Sequence, residues 1–89
     1  MGSLDDVRSA LQTLRETRER AWLPEIITTI DAALLEIDEA LRLSLTGDAQ
    51  AALQKAHRHL RAAIHHFGNR NDPQGYAEIK NACLVKIPN

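Results

Sequence analysis

Between Ala49 and Phe67, small and large apolar residues alternate at helical spacing. Ala49, Leu53, Ala56, Leu60, Ala63 and Phe67 recur in steps of four and three, which puts all six on one stripe of an α-helix. The alanines let a neighbouring helix approach closely, and the larger residues fill the remaining space. A strand has no use for this spacing, because its faces repeat every two residues. No segment of the chain alternates apolar and polar residues between hairpin turns. Alanine and leucine are also good helix formers. The expectation is an all-α domain spanning residues 1–89, an antiparallel up-down bundle of three long helices plus a short fourth helix at the C-terminal end.

Punctuation residues set the expected boundaries. Ser3 and Asp6 have the spacing of a capping box, so the first helix is expected over about 4–20, with Leu4, Val7, Leu11 and Leu14 as its seam. Pro24 fits the first turn of a helix and no later position. It places a tight connection at Ala21-Trp22-Leu23 and a second helix over about 24–45. There Ile27, Ile30, Leu34, Ile37 and Leu41 form the stripe, and Ile26, Ala33 and Ala40 widen it. So broad an apolar surface predicts the central, most buried helix. Gly47 suits a left-handed helix end and Asp48 the next N-cap. The third helix then covers about 49–67, with Gly68 as its stop. Asp72 and Pro73 open a last helix over about 73–86, with Tyr76, Ile79 and Cys83 inward. A short strand over Leu84–Ile87 would have no obvious partner.

Several function classes are disfavoured. Of 89 residues, 11 are Lys or Arg and 12 are Asp or Glu, giving a net charge of −1, so the basic footprint of a nucleic-acid binder is missing. Only Trp22, Phe67 and Tyr76 are aromatic, too few for a base-stacking platform, and a nucleic-acid partner is not expected. The single cysteine, Cys83, excludes an intrachain disulfide or a multi-cysteine cluster. No apolar run reaches membrane-spanning length, and no export signal is visible, so a cytoplasmic protein is expected. Phosphate-binding loops, Gly-x-Ser-x-Gly, His-Glu-x-x-His and EF-hand loops are all missing. A non-enzymatic role with no cofactor is the expectation.

The residues richest in chemistry lie on the third helix. His57, His59, His65 and His66 fall within ten positions, yet none has the three- or four-residue spacing that brings two ligands to one point. His59 and His66 share a stripe seven residues apart, so a metal or haem site would need ligands from another helix or subunit. His57 borders the apolar stripe, and folding the hairpin about Gly47 brings Asp38 to its level, which predicts a hydrogen-bonded pair. The segment Arg61-Ala-Ala-Ile-His65-His66 resembles the Arg-x4-His motif of HEPN-type helical ribonucleases. That resemblance implies that Arg61 stabilises phosphate charge and His66 acts as acid or base. Ala62 stands where that motif commonly has a polar residue.

The second helix carries Glu25, Asp31, Glu36, Asp38 and Glu39 against Arg42 alone, while residues 46–89 carry a net charge of +3. Leu35 and Leu43 fall off the apolar stripe, and Trp22 sits in a connection. These three residues are the expected interface of a small adaptor, regulator or inhibitor that contacts another protein and self-associates, as a homodimer or other homo-oligomer.

Overall fold

The computed structural model describes residues 3–88. Among them are four α-helices and no strand: α1 (Leu4–Arg20), α2 (Leu23–Ala40), α3 (Gly47–Gly68) and α4 (Asp72–Leu84). The capping box forms in full. The Asp6 backbone N–H donates to Ser3 Oγ at 3.1 Å, and the Ser3 backbone N–H donates to Asp6 Oδ2 at 3.2 Å. Asp5 and Asp6 lie in the first turn of α1, and Arg18 and Arg20 in its last, the favourable arrangement for the helix dipole. Pro24 lies in the first turn of α2, where its missing N–H costs nothing.

The other ends differ from expectation. The second helix stops at Ala40, not Leu45. Beyond it the chain tightens: the Arg42 N–H donates to the Glu39 carbonyl at 3.2 Å and the Leu43 N–H to the Ala40 carbonyl at 3.0 Å. Leu41 and Leu45 pack, partly buried, against the core from this irregular segment. The N-cap of α3 is Thr46, not Asp48. The Thr46 hydroxyl accepts from the Ala49 N–H at 3.2 Å, which draws Gly47 and Asp48 into the first turn. The left-handed residue that ends α3 is not Gly68. It is Arg70, at φ +60°. The Arg70 N–H donates to the Phe67 carbonyl at 3.1 Å and the Asn71 N–H to the His66 carbonyl at 2.8 Å. These two bonds are a Schellman motif. At 13 residues, α4 is a full packing partner rather than a short appendage.

The core draws on every helix. Val7, Leu14, Ile26, Ile30, Ile37, Leu53, Leu60 and Ile79 are wholly buried. Full burial of one such side chain contributes about 1.5–3 kcal/mol. On α2 the buried stripe is Ile26, Ile30, Ala33, Leu34, Ile37 and Ala40, whereas Ile27 and Leu41 sit at its edge. The stripe is therefore rotated toward the alanines relative to the sequence reading. On α3 the six residues of the alternating stripe are all buried. On α4 the buried residues are Gly75, Ile79 and Ala82, with Tyr76 and Cys83 flanking them.

The helices form a ring. The adjacent pairs α1–α2, α2–α3, α3–α4 and α4–α1 pack together, while the diagonal pairs do not approach. No helix is central, which corrects that part of the expectation for α2, although six of its 18 residues are buried. Contacts between α1 and the C-terminal segment run in reverse register: the Cys83 thiol faces the Leu11 carbonyl at 3.6 Å, and Arg8 reaches the carbonyls of Ile87 and Pro88. The Arg8 guanidinium donates to the Pro88 carbonyl at 2.7 Å. The tail is thus held by a side chain rather than by strand pairing. The molecule measures 37 × 18 × 18 Å.

Candidate interaction surface

Helix α3 is tied to both neighbours by histidine–carboxylate contacts. His57 and His59 are two positions apart, so they leave the helix about 200° apart. His57 Nε2 lies 3.1 Å from Asp38 Oδ1 on α2. His59 Nδ1 lies 3.1 Å from Glu78 Oε1 on α4. The same Glu78 oxygen accepts from Asn81 Nδ2 at 3.0 Å. The Asn81 amide, followed by His59, holds the Glu78 carboxyl below the usual glutamate value and outweighs the opposing effect of burial. These contacts orient side chains at the helix seams. The hairpin register of α2 and α3 was enough to anticipate Asp38 and His57. Glu78 was missed, because no local spacing links it to His59.

The remaining chemistry-bearing residues do not converge. Arg61 and His66 lie on one continuous helix, so five residues separate their directions by about 140°. Arg61 is exposed and His66 half-buried. His65 Nε2 contacts the Asn69 amide at 3.0 Å, and its ring meets His66 edge-on. His59 and His66 are joined by no third ligand: among the described residues no group of three or more His, Cys, Asp or Glu side chains is arranged to hold a metal ion.

Among the described residues four large apolar side chains are exposed: Trp22 (83%), Leu84 (71%), Leu35 (57%) and Leu43 (50%). Three of them are the residues singled out in the sequence, and Leu84 was missed. Its signal was the apolar run at the end of α4, which supplies more apolar residues than one helix face can bury. Leu35 points away from the α2 core stripe, with Asp31 and Glu39 one turn before and after it. Leu43 follows in the turn, and Trp22 lies at the opposite end of the helix. Leu84 borders a cleft of about 290 Å3 between α1 and α4, lined also by Arg15, Arg18, Glu19, Lys80 and Cys83. Cys83 also lines this cleft and is half-buried. Burial pushes this thiol above its usual value, against the opposing pull of Arg18 and Arg15.

No family model, curated protein or solved structure matches the chain. Among the described residues no helix is long and apolar enough to cross a membrane.

Proposed function

We propose that the protein is a small non-enzymatic interaction module, an adaptor, regulator or inhibitor, that presents helix faces to a protein partner and associates with itself. One observation carries this reading. Leu35 is 57% exposed at the middle of the outward face of α2, where a helix serving only its own core would carry a polar residue. Leu43, half exposed in the following turn, extends the surface, and Trp22 adds an aromatic anchor of the kind interfaces favour. The reverse-register contacts of α4 with α1 support an antiparallel up-and-down order of helices, which gives a rigid frame for such a face. The histidine–carboxylate contacts are seam interactions in this reading.

The test is the molar mass of the Leu35→Glu, Leu43→Glu double variant by light scattering. The expected result is a fall toward the monomer with unchanged helical circular dichroism. An oligomer that persists at the same mass and concentration dependence would remove Leu35 and Leu43 from the interface.

A further inference from the structure

The exposed leucines stand in surroundings of opposite charge. Leu35 lies on α2, whose residues 23–40 include five carboxylates and no Lys or Arg. Asp31 and Glu39 flank it at one turn, about 6 Å away along the axis on either side. Leu84 lies at the rim of the α1–α4 cleft with Lys80 one turn before it and Arg15, Arg18 and Glu19 across from it, so that three cations outweigh one carboxylate there. On its other side a shallower groove brings Lys55 to the same leucine.

We propose that the α1–α4 cleft receives the outward face of α2 from a second copy of the chain, with Leu35 seated against Leu84 and the flanking carboxylates meeting the cleft cations. This rests on the self-association reading and supplies the surface opposite the leucine face. Arg15 and Lys80 have no ion-pair partner among the described residues, and neither do Asp31 and Glu39. Arg18 reaches Glu19 through Nη1 at 3.2 Å, but its Nε is buried with no acceptor. The pattern is an apolar contact inside a rim of matched charges.

The two surfaces differ, so the contact is heterologous. It closes into rings or builds open chains, and open chains lengthen with concentration. The assembly also weakens as salt rises, since its rim charges are solvent-exposed.

The experiment is sedimentation velocity on the full chain across concentration and salt, with two charge-reversed variants. One carries Arg15→Glu with Lys80→Glu, the other Asp31→Lys with Glu39→Lys. Each variant alone is expected to self-associate at least about tenfold more weakly than the unmodified chain. An equimolar mixture is expected to recover association, because the intact acidic face of one meets the intact cleft of the other. Circular dichroism verifies the fold of each variant. If the unmodified chain associates with no salt dependence and the cleft variant associates equally well, the cleft is not the receiving surface, although self-association stands. If the unmodified chain is monomeric throughout, both fall.

Discussion

A methyl group placed on Gly75 would lie 2.6 Å from Cε1 of Phe67, inside the van der Waals surface of the ring. Phe67 cannot easily retreat, because the Tyr76 ring meets it edge-on at a centroid distance of 5.3 Å. Glycine at this helical position is a packing requirement of the α3–α4 hairpin. Gly75→Ala is expected to destabilise the fold by about 1–3 kcal/mol through overpacking, despite the better helix propensity of alanine. Urea unfolding measures it, and a raised midpoint would mean that the ring yields.

Arg70 occupies the left-handed position of the Schellman motif at φ +60°, where a Cβ costs about 1–2 kcal/mol. Arg70→Gly removes that cost, although the more flexible unfolded chain takes part of the gain back. The expected result is a net stabilisation of about 0.5–1 kcal/mol, read as a higher midpoint in the same unfolding experiment. A loss of stability would show that the arginine side chain contributes more than its backbone conformation costs.

Glu78 gives a pH dependence of definite sign. Its carboxyl is held below the ordinary value of 4.5, first by the Asn81 amide and then by His59. A depressed folded-state value means that the unfolded chain binds the proton first. The contribution is therefore fully present above pH 4.5 and is lost as pH falls through the lower folded value. Thermal melts in acid are expected to show a steeper loss for the unmodified protein than for Glu78→Gln. Parallel curves would contradict the assignment.

Cys83 is expected to be a slow nucleophile. Burial raises its thiol above the usual 9.0, and its Sγ faces the Leu11 carbonyl at 3.6 Å. Less thiolate forms at neutral pH, so alkylation by iodoacetamide should be slower in the folded protein than in urea. Equal rates in the two states would show that neither burial nor the neighbouring carbonyl protects the sulfur.

The helical character and the α3 core stripe were legible because period and punctuation agree there. The α1 boundaries were legible because Ser3 and Asp6 complete a box within four residues. The end of α2 was not, since Leu41, Leu43 and Leu45 are all good helix formers. The chain nevertheless leaves the helix at Leu41, and the Arg42 and Leu43 N–H groups turn back to the Glu39 and Ala40 carbonyls. Arg70 was hidden for a related reason. Gly68 stood two residues earlier as a better left-handed residue, yet α3 stays helical through Gly68 and the left-handed position falls at Arg70. His57 with Asp38 was readable from one hairpin register. His59 with Glu78 depends on the α4 register, which that turn fixes. The exposed leucines of α2 were readable as departures from a stripe, whereas the Leu84 cleft exists only once α1 and α4 are side by side.

The most direct test of the central claim is the molar mass of the unmodified protein in solution, measured by light scattering over a wide concentration range. Self-association through exposed helix faces requires a mass above the 9.9 kDa of one chain, rising with concentration. A constant mass of one chain at every concentration would contradict it.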